Sequence, residues 1–108
     1  MVNPLAGEVS LTIDGTRHVL KLTLGALSEL EAQLEADSLM ALVARFEAGG
    51  FRTADVSALI CAGLRGGGWD GAPKDVLAAD ITGGPLEAAR VAARLLALAF
   101  TVPGDGAA

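Results

Sequence analysis

Three glycines, Gly66, Gly68 and Gly71, stand in the spacing G-x-G-x-x-G inside the stretch GLRGGGWDGAP, beside the only tryptophan, Trp69. Glycines so spaced bind nucleotides when they join a strand to a helix, because the missing side chains let backbone N–H groups reach a pyrophosphate at the helix N-terminus. That context is absent. Residues 53–65, which precede the loop, have helical periodicity, and no strand follows at the distance of a βαβ unit. The phosphate-loop pattern fails as well. Gly66 and Gly71 have its spacing, but Ala72 and Pro73 stand where lysine and serine or threonine are needed, and proline removes a backbone donor. The glycines are expected to stop a helix and form a flexible turn into the next one, with Trp69 lying over a neighbouring apolar edge.

The other chemistry-bearing side chains are few. His18, the only histidine, falls in an alternating stretch and reads as a partly exposed strand residue rather than a ligand or base. Cys61, the only cysteine, lies between Ile60 and Ala62 and reads as a small buried hydrophobe rather than a nucleophile. One histidine and one cysteine cannot make a zinc site by themselves. Glu29, Glu31, Glu35 and Asp37 form an acidic cluster in which Glu31 and Glu35 are one turn apart and could touch a divalent cation. No glycine-hinged loop of alternating acids accompanies them, so a solvated face is expected. No Ser-His-Asp set can be placed, and no carboxylate pair has a reason to be desolvated. The expectation is a protein without catalytic residues, cofactor or metal.

The elements that would position these residues begin with a hairpin. Val9, Leu11 and Ile13 alternate with Ser10 and Thr12, and Leu20, Leu22 and Leu24 alternate with Lys21 and Thr23. Asp14-Gly15 between them favours a two-residue type I′ turn, which sets Ile13 opposite Thr16, Leu11 opposite His18 and Val9 opposite Leu20. A four-residue loop would instead pair Leu11 with Leu20 and Val9 with Leu22. The short turn is preferred.

Helical spacing dominates the rest. Thr23 can cap a helix carrying Leu24, Leu27, Leu30 and Leu34; Asp37 or Ser38 can cap a second with Leu39, Leu42, Val43 and Phe46, ended by Gly49-Gly50. Thr53 can cap a third with Val56, Leu59, Ile60 and Leu64 inside. Pro73 suits the start of a short fourth helix to about Ile81, ended by Gly83-Gly84, and Pro85 opens a fifth running to about Phe100. On the fifth, Glu87, Arg90 and Arg94 share one narrow stripe, leaving an apolar arc of roughly 240° against the 100° or so a surface helix needs. Either this helix is the central post of the bundle, which is the preferred reading, or part of it faces a partner.

These elements make an α+β fold: an N-terminal β-hairpin followed by four to five short helices. The 108 residues fit one domain, with the hairpin at about 7–24, the helical part at about 25–100 and a loose tail at 101–108. A chain this size buries roughly 65% of its unfolded surface, enough for one core. Composition is 52% hydrophobic with 4% aromatic and no tyrosine, so that core is aliphatic. A net charge of −5 argues against nucleic-acid partners. The single cysteine fits a reducing cytoplasm, and MVNPLAGEVS does not have the form of a signal peptide. The most apolar segment, VAARLLALAFTV, is interrupted by Arg94 and too short to span a bilayer.

The succession GEVSLTIDGTRHVLKLTLGALSELEAQL, SLMALVARF and TADVSALICAGLRGGG resembles a small protein family encoded in the gene transfer agent clusters of alphaproteobacteria, which are domesticated tailed-phage genomes. That family is grouped with phage tail assembly chaperones and is sometimes labelled as tail tube. The resemblance covers about residues 7–100, and WDGAPKD departs from the family's usual acidic start to the fourth helix. It implies a non-enzymatic role: holding the apolar tape-measure protein soluble in the producing cell while tube subunits polymerise round it. The implied partners are the tape-measure or tail tube protein and further copies of the chain, with neither nucleic acid nor membrane. Leu96, Leu98 and Phe100, with Trp69, are the expected partner contacts. A structural component of the tail, or more remotely a small regulatory binding module of the host, are the alternatives.

Overall fold

Alternation of apolar and polar side chains folds the N-terminal segment as β1 (Glu8–Ile13) and β2 (Thr16–Lys21), paired antiparallel with Ile13 opposite Thr16, Leu11 opposite His18 and Val9 opposite Leu20. This is the register of the two-residue turn. Asp14 (φ 51°) and Gly15 (φ 80°) both take positive φ, as a type I′ turn demands. Val9, Leu11, Ile13 and Leu20 are buried on one face. The computed structural model describes residues 2–34 and 38–100; the tail at 101–108, Asp37 and Glu35 lie outside them.

Leu24 does not extend the second strand. Thr23 turns the chain, its Oγ1 accepting from the Ala26 N–H at 3.1 Å, and Leu24 becomes the exposed first residue of α1 (Leu24–Leu34). Ser38 caps α2 (Leu39–Ala48) through the Ala41 N–H at 3.0 Å, and Gly49 closes it in the left-handed region. The cap of α3 (Thr53–Gly66) is not Thr53. Asp55, three residues past Arg52, turns back and accepts from the Arg52 N–H at 2.8 Å. Thr53 is already helical, and its N–H is one of the donors a helix start leaves open.

α4 (Pro73–Ala78) is shorter than the periodicity predicts. Ile81 leaves the helix to bridge Ile13 on β1: the Asp14 N–H donates to the Asp80 carbonyl at 2.8 Å and the Thr82 N–H to the Thr12 carbonyl at 3.0 Å. The backbone groups that helix continuation would use thus go to the edge of the hairpin. Gly83-Gly84 consequently does not end α4 but starts α5 (Gly84–Ala99), with Gly83 as its N-cap.

The central post is α3, not α5. Seven consecutive residues from Ala58 to Leu64 are buried, so α3 is enclosed on all sides. It packs against α1, β2, α4 and α5, while α5 also packs on β1. On α5 only Ala88, Val91, Ala92, Leu95 and Leu96 are buried, a one-sided face. Among the described residues no helix is long and apolar enough to cross a membrane.

The glycine run after α3 is where helix meets strand. A Cβ on Gly66 would strike the Lys21 carbonyl and one on Gly67 the Val19 carbonyl, so glycine permits the end of α3 to lie against β2. The expected flexible turn is braced. Arg65 pairs with Glu29 at 2.6 Å and donates to the Gly71 carbonyl at 3.0 Å, and a Cβ on Gly71 would collide with the Trp69 ring.

Candidate partner-binding site

Helical periodicity on two elements builds one apolar groove. Val43, Phe46 and Glu47 recur on α2, and Ala93, Leu96, Ala97 and Phe100 recur on and just past α5. Together they line an open groove of about 340 Å³ with one carboxylate, Glu47, on the α2 bank. Apart from Glu47 the lining is aliphatic and aromatic, a surface that suits an apolar side chain or helix.

Side chains hold α2 in place. Leu42 is fully buried, and Phe46 stacks on Phe51 with ring centroids 4.5 Å apart and planes 8° from parallel. Arg45 grips Asp55 through two hydrogen bonds of 3.0 and 2.9 Å, and the Arg52 side chain adds two more of 3.1 and 3.5 Å. Burial would raise the Asp55 carboxyl, but the hydrogen bonds from Arg45 and Arg52 and the Arg45 charge outweigh it and lower its pKa to about 2. This network carries no chemistry of its own. It anchors one bank of the groove, and periodicity alone does not reveal it. The readable signal was an aspartate in the first turn of α3 with Arg52 before it and Arg45 at the end of α2.

Of the four expected contacts, the structure brings two together. Leu96, only 4% exposed, forms the groove floor, and Phe100, 38% exposed, its outer end. Leu98 is half-buried and packs on the core. Trp69 lies elsewhere, lining a recess between the hairpin and α4 with Ile13, Leu64 and Val76. His18 lines that same recess of about 210 Å³. Cys61 is fully buried, and burial pushes its thiol pKa up. Glu29 is tied to Arg65, while Glu31 is exposed. Among the described residues no group of three His, Cys, Asp or Glu side chains is placed to hold a metal ion.

The outer side of α5 carries the Arg90 and Arg94 stripe read from the sequence together with Leu86 and Ala93, which that reading did not single out. Leu86 is 71% exposed, Arg90 and Arg94 are exposed, and the exposed Ala93 also lines the groove. Arg90 has Glu87 as its nearest acid, at 3.8 Å.

A comparison with protein families matches residues 6–102 of the chain to the family described as phage tail tube protein, GTA-gp10. No curated protein and no solved structure matches.

Proposed function

Since this chain belongs to the phage tail tube protein family GTA-gp10, we propose that it is a non-enzymatic tail-assembly protein of a phage-like gene transfer agent, acting as a chaperone for the tape-measure protein. The observation that carries this reading is the groove between α2 and α5, an open, largely apolar groove of about 340 Å³ able to receive side chains from a client helix. The client would stay in the groove in the cytoplasm of the producing bacterium until tube subunits displace the chaperone. A net charge of −5 would keep the complex soluble and away from packaged DNA.

The test is co-expression of a tape-measure fragment with the wild-type chain or with Phe100→Glu. The wild type is expected to raise the soluble fraction of the fragment and Phe100→Glu to lose that effect while still folding. A fragment that stays equally insoluble with and without the wild-type chain removes the chaperone reading.

The family description itself favours a second reading, a structural subunit that stays in the tail. Mass spectrometry of purified particles separates the two. A stoichiometric presence supports the subunit, and absence from particles with presence in producing-cell lysate supports the chaperone.

A further inference from the structure

The outer side of α5 carries a strip that continues the groove along the whole helix. Leu86, Arg90, Ala93, Ala97 and Phe100 recur at steps of four, three, four and three, which places them on one side over about 20 Å. The ends are bulky and exposed, Leu86 at 71% and Phe100 at 38%. Between Ala93 and Ala97 the strip offers only methyl groups, with Arg90 at its edge, so another helix axis can approach there to the near end of the usual range of about 8–10 Å. Leu86 and Phe100 would then fix its position lengthwise.

Positive charge borders this strip on one side only. On a helical wheel Arg90 and Arg94 lie roughly 60° and 100° from Ala93 in the same direction, and the buried Leu96 side, where α2 and Glu47 sit, lies in the other. Arg90 is 69% exposed and pairs with Glu87 on the same stripe at 3.8 Å, so the border sets two guanidinium groups against one carboxylate and stays net positive. On a chain of net charge −5 this border is a place where an acidic partner meets attraction.

We propose that this strip docks an amphipathic helix of another protein, one whose apolar stripe is bordered on one side by carboxylates that lie over Arg90 and Arg94. The assignment rests on the chaperone reading and specifies the client: an acid-bordered helix, read in one lateral orientation. An antiparallel pair of α5 helices from two copies would gather four guanidinium groups against two Glu87 carboxylates on one side of the contact, a net repulsion, which is why a different chain is the better occupant.

Two synthetic helical peptides of about 20 residues with the same Leu/Ala stripe test this, one bordered by Glu and the other by Lys. Binding to the full-length chain is read by fluorescence anisotropy of the labelled peptide. The Glu peptide is expected to bind about five- to tenfold more tightly at low salt, with the difference fading near about 0.5 M salt. Arg90→Glu/Arg94→Glu, two exposed changes, should invert the preference. Ala93→Arg should abolish binding of both peptides with unchanged circular dichroism. Equal affinity of the two peptides, or an unchanged preference in the double variant, overturns the proposal. So does a wild-type dimer in sedimentation that Ala93→Arg dissociates, because the occupant is then a second copy. If the charge preference and its inversion hold but the tape-measure fragment is not solubilised, the docking strip stands and the chaperone reading fails.

Discussion

At the scale of single residues, Asp55 is the one charged side chain buried among the described residues. Its pKa falls from 3.8 to about 2 on folding. A carboxylate depressed in this way stabilises the fold fully above the unfolded value and loses that stabilisation as pH falls through the folded one. The difference corresponds to about 2 kcal/mol, present above about pH 4 and gone near pH 2. Urea melts should therefore show wild type losing about 2 kcal/mol more than Asp55→Asn between pH 5 and 2. Parallel pH profiles would mean that Asp55 is not held as described. Gly66 gives a second residue-scale test. Gly66→Ala sets a methyl against the Lys21 carbonyl and is expected to cost about 1–3 kcal/mol. Gly50→Ala meets open space and should change stability by less than about 0.5 kcal/mol. Similar melting of the two variants would show that α3 and β2 do not need the close approach.

At the scale of elements, the hairpin has to be covered, since Val9, Leu11, Ile13 and Leu20 form one buried face. Leu11→Ala should cost about 2–5 kcal/mol, and a loss under about 0.5 kcal/mol would mean that this face is open. Leu96→Glu places a charge in the core and should unfold the chain, whereas Phe100→Glu sits at the half-open end of the groove and should leave the circular dichroism unchanged. Folding of both variants would show that Leu96 is not core. The hairpin register was readable because Asp14-Gly15 admits one favoured turn. The caps at Thr23 and Ser38 were readable because a hydroxyl sits just before each apolar period. What was not readable is tertiary. Ile81 leaves its helix for a β-bridge that links residues 68 apart in sequence. The central helix was misplaced because the apolar arc of α5 was mostly alanine. ALICAGL in α3 has no polar side chain for nearly two turns, and that was the stronger sign of enclosure.

For the molecule as a whole, the core and the candidate site occupy different parts of one hydrophobic framework. α3 carries the enclosed centre, and the hairpin, α1, α4 and α5 close on it. The groove lies at the periphery, where α2 meets α5. This separation explains how much of the site was legible. Leu96 and Phe100 were found as part of an apolar arc, but their partners Val43 and Phe46 lie about fifty residues earlier. No local spacing connects them. The Arg45–Asp55 pair that brings them together is likewise invisible to periodicity. The family, in contrast, is a property of the succession of elements over residues 6–102 and needs no single site.

α2 joins none of the closely packed pairs of elements; Leu42, the Phe46–Phe51 stack and the Asp55 clamp secure it. Such a helix can open as a unit of its own, with a free energy below that of global unfolding. Its amide hydrogens should then exchange with deuterium at least tenfold faster than those at the centre of α3, which open only when everything does. Equal protection in the two helices would mean that the chain has a single cooperative unit. Because α2 supplies one bank of the groove, lifting it would also empty the groove. Exchange from α2 should therefore slow in the presence of a bound helix, which makes release of the client and local unfolding of α2 one event.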